Sequence, residues 1–194
     1  KLKVELQVMA DIGFVGFPNA GKSSLLDRFT NARPKIAPYP FTTKIPNLGV
    51  LTSAGRDIIL ADIPGLLEGA SEGVGLGIRF LKHISRASGL AFLIDLGEEN
   101  YLEAYGVLLK ELESFSPELL EKKRIIVGTK LDLEGTGERF EELKARYPDE
   151  KVFGISVFTS DGLDSLTKAF LELASSDEDQ GAWGHTENPW RKGE

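Results

Sequence analysis

The stretch GFPNAGKSS, Gly16 to Ser24, sets two glycines, a lysine and two hydroxyls in the pattern G-x-x-x-x-G-K-[ST]. It follows an apolar run and opens a helical pattern, so the glycines bare successive backbone N–H groups beside a helix N-terminus. Phosphate oxygens need such donors. Lys22 adds a cation for the outer phosphates, and the Ser23 hydroxyl is a ligand for the Mg2+ that a phosphate chain carries. On this reading Gly16, Phe17, Pro18, Asn19, Ala20, Gly21, Lys22, Ser23 and Ser24 cradle nucleotide phosphates.

A second chemical stretch is ADIPGLLEGA, in which Asp62 ends the apolar run Ile58-Ile59-Leu60 and the breaker pair Pro64-Gly65 follows. In an open parallel sheet, ligands sit at the carboxyl ends of the strands, so Asp62 would share a rim with the phosphate loop. There a carboxylate holds Mg2+ through water. Gly65 would offer its backbone N–H to a terminal phosphate with no side chain in the way. Upstream, the proline-rich run Asn31 to Pro46 carries Thr42-Thr43. Thr43 is assigned to the metal and terminal phosphate, with Thr42 as the alternative. The candidate catalytic set is thus Lys22, Thr43 and Gly65, and the candidate metal ligands are Ser23, Thr43 and Asp62. Glycines at 65, 69, 73, 75 and 77 give the later segment high backbone entropy. Two such segments, ordered by a terminal phosphate and its Mg2+, are the parts of a nucleotide switch.

Thr129-Lys130-Leu131-Asp132 follows the run RIIVG and falls on the same rim. A carboxylate accepts two hydrogen bonds from guanine, at N1–H and the exocyclic amine, whereas adenine presents an acceptor at N1. Asp132 therefore argues for guanine; the alternative is an acid that caps a helix. The Lys130 stem would cover the base face, and Ser156 and Val157 would aim backbone N–H groups at the O6 carbonyl. Thr129, Lys130, Asp132, Ser156 and Val157 complete the nucleotide-binding set.

The elements that must position these groups alternate along the chain. Runs rich in β-formers lie at Ile12 to Val15, Leu48 to Thr52, Asp57 to Ala61, Leu90 to Ile94, Ile125 to Val127 and Val152 to Ile155. Helical patterns lie around Gly21 to Thr30, Ile78 to Ala87, Tyr101 to Ser114, Glu138 to Tyr147 and Gly162 to Leu173. This order predicts an α/β fold, three layers with a mainly parallel six-stranded sheet. Only Ser53-Ala54-Gly55-Arg56 joins the second and third runs, too short for a crossover, so an antiparallel hairpin is expected at the sheet edge. Residues 1–10 are read as the end of a preceding domain or a linker, 11–175 as the nucleotide-binding domain, and 176–194 as a polar tail.

Composition narrows the partners. The 194 residues carry a formal charge of −7, which opposes direct DNA binding and attraction to anionic lipid. No cysteine is present, which excludes disulfides, thiolate catalysis and cysteine metal sites. No apolar run reaches the roughly 20 residues of a membrane span. A cytoplasmic protein is expected. Arg79, Lys82, His83 and Arg86 share a helical face, either a solvated surface or an RNA contact.

The blocks GFPNAGKSSLL, YPFTTKIPNLGVL and ADIPGLLEGASEGVGLGIRFLKHI, with the later motifs in order, resemble the GTPase domain of the bacterial Obg family over about Leu2 to Ala174. The resemblance implies a P-loop NTPase fold, GTP and GDP as ligands, Mg2+ as cofactor and hydrolysis of GTP. It also implies action on the large ribosomal subunit or its precursor through neighbouring domains, and a response to ppGpp. Two positions depart from the family pattern: Thr129 stands where Asn is usual, and Val157 where Ala is usual. The shorter Thr129 puts in question a bond to guanine N7 or to the phosphate loop, worth about 0.5–1.5 kcal/mol. Many small GTPases have a water-orienting glutamine where Leu66 stands, so a low intrinsic rate is expected. Asn19 is read either as a K+ ligand between the phosphates or as a turn residue. Two functions remain open: a slow GTP-hydrolysing assembly switch, or a GDP and ppGpp sensor with negligible hydrolysis.

Overall fold

The computed structural model describes residues 10–30, 47–62 and 87–175. Its centre is made by runs that show no polar alternation. β1 (Ile12–Gly16), β4 (Gly89–Asp95) and β5 (Lys123–Thr129) pair in parallel, and all seven residues of β4 are buried. A strand covered on both faces needs apolar side chains on both, hence the continuous runs. β6 (Val152–Gly154) adds in parallel to β5, and β3 (Arg56–Asp62) in parallel to β1. β2 (Asn47–Ser53) closes the other edge as the antiparallel partner of β3. The sheet order is β2-β3-β1-β4-β5-β6.

The hairpin between β2 and β3 turns on Ala54-Gly55 alone, with φ of 52° and 74°. Two consecutive positive φ values form the turn that matches strand twist. Ladder pairing reaches Ser53 and Arg56, so the connection is two residues shorter than the four read from sequence.

Alternate strand residues point to opposite faces and build two cores. Phe14, Leu60, Leu93 and Val127 face α1 (Lys22–Phe29) and α4 (Leu163–Ala174), where Phe170 stacks at 5.8 Å from Phe14 and edge-on at 5.7 Å to Phe29. Val15, Phe92, Ile94 and Ile126 face α2 (Tyr101–Phe115) and α3 (Thr136–Arg146). There Tyr105 lies edge-on to Phe92 at 5.0 Å and to Tyr147 at 4.9 Å. The expected three layers, mixed sheet and edge hairpin are all present; the helix expected at 78–87 lies almost wholly outside the described residues. Among the described residues no helix is long and apolar enough to cross a membrane.

Topology selects one rim. β1 has β3 on one side and β4 on the other, so the connections diverge at its carboxyl end. Such a switch point opens a crevice for a ligand. The ends of β1, β3, β4 and β5, at Gly16, Asp62, Asp95 and Thr129, all lie on that rim, with Asp95 registered against Thr129.

Candidate nucleotide-binding site

The phosphate loop leaves β1 at Gly16 and enters α1 at Lys22. A Cβ on Gly16 would stand 2.7 Å from the Leu93 carbonyl oxygen, so the close approach of β1 and β4 there requires glycine. Gly21 caps α1 with φ of 88°, and Asn19 also takes a left-handed conformation at φ of 64°. The Ala20 N–H bonds the Phe17 carbonyl at 3.2 Å, which closes the turn. α1 has no acidic residue in its first turn and no side-chain cap, so its partial positive end is left for an anion. The Lys22 ammonium bends back over the loop and donates to the carbonyls of Gly16 at 2.7 Å and Phe17 at 2.8 Å.

Beside the loop, the Ser23 hydroxyl donates to Asp62 Oδ2 at 2.6 Å. Asp62 is 4% exposed, and its second oxygen, Oδ1, is buried with no hydrogen-bond partner. An unpaired buried carboxylate oxygen is costly and suits a cation. Among the described residues no group of three or more His, Asp or Glu could hold a metal unaided. Mg2+ does not need one, because it binds through one or two protein oxygens together with phosphates and water. Ser23 and Asp62 thus fit the cofactor expected. Thr43, its neighbour Thr42, Gly65 and Leu66 lie outside the described residues.

The candidate base segment is tied to this loop. Thr129, 2% exposed, places its hydroxyl 3.0 Å from the Ala20 carbonyl and 3.2 Å from that of Ile94. Of the two bonds the shorter side chain put in question, the one to the phosphate loop is made. Lys130 has φ of 61°, and its ammonium reaches Asp95 Oδ2 at 2.5 Å. Asp95 is 8% exposed and also accepts the Gly97 N–H at 2.9 Å through Oδ1. Sequence reasoning leaves Asp95 in an ordinary strand-end loop. The available signal was that it ends β4 on the rim where Asp62 ends β3.

Asp132 is exposed, and its Oδ1 accepts the Ser156 hydroxyl at 2.6 Å. It is not a helix cap: α3 starts at Thr136 with Gly135 as its N-cap residue. Ser156 is fully buried, and its backbone donor differs from expectation. Its backbone N–H donates to the Asp161 carbonyl at 3.1 Å, so that group is not aimed at a base carbonyl. The chain folds back at 156–161 and consumes the donor. The Ser156 hydroxyl donates to Asp132 and accepts the Thr159 N–H at 3.0 Å. Val157 is partly buried against the α1 and α4 core. The structure therefore gathers Ser23 with Asp62, Thr129 with the loop, Lys130 with Asp95, and Asp132 with Ser156.

Comparison with known proteins agrees with this geometry. The family described as "50S ribosome-binding GTPase" matches residues 11–130. The chain is 70% identical over 172 residues to GTPase Obg of Treponema denticola, covering 88% of this chain and 45% of that protein. It is 53% identical over 175 residues to GTPase Obg of Borreliella burgdorferi strain B31, covering 90% of this chain and 53% of that protein. The chain thus spans about half the length of the curated relatives it matches. Among solved structures, the G domain of the T. maritima FeoB iron transporter superposes with a TM-score of 0.63 at 25% identity, covering 86% of this chain and 99% of that one. A point variant of Aquifex aeolicus Era bound to GDP.AlF4- gives a TM-score of 0.60 at 27% identity, covering 84% of this chain and 56% of that one. A phosphate loop at the switch point, a matched family and Obg relatives at high identity converge: the chain belongs to the 50S ribosome-binding GTPase family and is similar, within it, to the Obg GTPases.

Proposed function

We propose that this chain binds GTP and GDP with Mg2+ and hydrolyses GTP slowly, as the switch domain of a larger cytoplasmic protein that acts on the large ribosomal subunit or its precursor. The observation that carries the reading is the Ser23–Asp62 pair, 2.6 Å apart with Asp62 Oδ1 unpartnered, beside a phosphate loop that Thr129 ties to the Asp132 segment. Ser23 and Asp62 would hold Mg2+, with Thr43 as a third ligand. An ion held there would offset the negative charge of the phosphates. Lys22 would exchange its two loop carbonyls for phosphate oxygens, a stronger charge-assisted bond, and Gly65 would donate its N–H to the terminal phosphate. Asp132, fixed by Ser156, accepts from guanine N1–H and the exocyclic amine, while Lys130, anchored by Asp95, covers the base.

Leu66 has no group to orient an attacking water, which supports a low rate and also a second reading, a GDP and ppGpp sensor without useful turnover. Asn19 bears on both. As a K+ ligand it would add a cation between the phosphates; its φ of 64° equally suits a turn residue. Faster single-turnover hydrolysis in K+ than in Na+ is expected, and equal rates would remove the K+ assignment. The deciding experiment measures binding of GTP, GDP, ppGpp and ATP in Mg2+, then single-turnover hydrolysis with and without large ribosomal subunits. Guanine nucleotides should bind and ATP should not. No binding of GDP at millimolar concentration would refute the whole reading, and binding without turnover in either condition would leave the sensor.

A further inference from the structure

The guanine edge offers acceptors at N7 and O6 and donors at N1 and the exocyclic amine. Around the candidate base site, the hydroxyls among the described residues already give their protons within the protein. The Thr129 hydroxyl has one proton and faces two carbonyls, Ala20 at 3.0 Å and Ile94 at 3.2 Å, while 2% exposed. The Ser156 hydroxyl donates to Asp132, and the Ser156 N–H to the Asp161 carbonyl. The part-exposed Lys130 ammonium is drawn to the buried carboxylate of Asp95, its stem being the part read as covering the base face. The exposed carboxylate of Asp132 is an acceptor.

We propose that the site makes no side-chain bond to guanine N7, so that nucleotides of 7-deazaguanine, with C–H in place of N7, are ligands equal to GDP. The inference rests on the guanine reading above and deepens it. Thr129 is the deciding position. Its proton locks the base segment to the phosphate loop, and a single hydroxyl has no second proton for the ring nitrogen. An asparagine amide has two N–H donors, enough to keep the Ala20 carbonyl and to reach outward as well.

The test is competition against a fluorescent GDP analogue, in Mg2+, by GDP, 7-deaza-GDP and inosine diphosphate, which lacks the exocyclic amine. Affinity for 7-deaza-GDP within about twofold of GDP, with inosine diphosphate weaker by about tenfold, is the expected result. A 7-deaza-GDP affinity about fivefold or more below that of GDP would overturn the proposal and leave the guanine reading intact. Failure of GDP itself to bind, or equal binding of inosine diphosphate, would overturn both. The Thr129→Asn variant should open a gap of about fivefold between GDP and 7-deaza-GDP. If that variant binds GDP and still shows no gap, position 129 does not decide the matter and the proposal fails.

Discussion

Asp62→Asn should separate stability from ligand binding, because one oxygen of Asp62 is satisfied within the protein and the other is not. Oδ2 accepts from Ser23 at 2.6 Å, whereas Oδ1 is buried without a hydrogen-bond partner. Leaving a buried group unsatisfied costs about 1–3 kcal/mol, more when it is charged. Asparagine keeps an acceptor for Ser23 and puts a neutral amide NH2 where the unpaired charged oxygen was. That group is still unsatisfied but costs less than a charged one, so the ligand-free variant should gain about 1 kcal/mol. For a domain of this size that raises Tm by about 2–4 °C. With Mg2+ and GDP the order should reverse. At a nucleotide concentration of about 100 Kd the parent gains about 2.7 kcal/mol, or roughly 5–10 °C, and the variant should gain less than half of this. The assay is thermal unfolding of both proteins in EDTA and in Mg2+ with GDP. Two outcomes refute the reasoning: a variant that melts well below the parent in EDTA, or one that keeps the full increment from Mg2+ and GDP.

Asp132→Asn replaces an acceptor with an amide donor, so GDP affinity should fall about tenfold or more while xanthosine diphosphate, with a carbonyl in place of the amine, binds better than GDP; unchanged GDP affinity would rule out Asp132 as the base reader. Ser156→Ala removes the hydroxyl that fixes Asp132 and should weaken GDP by about two- to tenfold, measured in the same competition format. Tyr105 is buried and donates to Glu150 Oε1 at 2.8 Å, an oxygen that also accepts from Arg124 at 2.9 Å. Burial, then the bond to Glu150, raises the Tyr105 pKa, so its protonated form is the one the fold stabilises. That contribution is complete at neutral pH and is lost as pH rises above the unfolded value of about 10. Tyr105→Phe should cost about 0.5–1.5 kcal/mol at pH 7 and flatten the alkaline fall in urea midpoint, and an unaltered pH slope would count against this account.

The sequence by itself determined what local chemistry and periodicity encode. Glycines around Lys22 must form a phosphate loop after a strand. The buried run of β4, apolar on both faces, must be a central parallel strand, and Ser53 to Arg56 leaves no room for anything but a hairpin. Asp62 was legible because topology places every strand end of a parallel sheet on one rim. The sequence left Asp132 open between base reader and helix cap; the structure removed the cap by starting the helix at Thr136 after Gly135.

Partnership across the chain was decided only by tertiary structure. The Thr129 hydroxyl meets a loop carbonyl 109 residues away, Ser23 meets Asp62 across 39, Lys130 meets Asp95 across 35, and Ser156 meets Asp132 across 24. A hydroxyl or ammonium has the same chemistry whether it faces a ligand or a neighbouring carbonyl; the distinction is one of placement, set by how strands register and where loops turn back. Ser156 shows this directly, since the return of the chain at Asp161 takes up the N–H that an isolated motif would leave for the base. Residue type supplied the donors and acceptors at this rim, and packing chose which of them remain to meet a nucleotide.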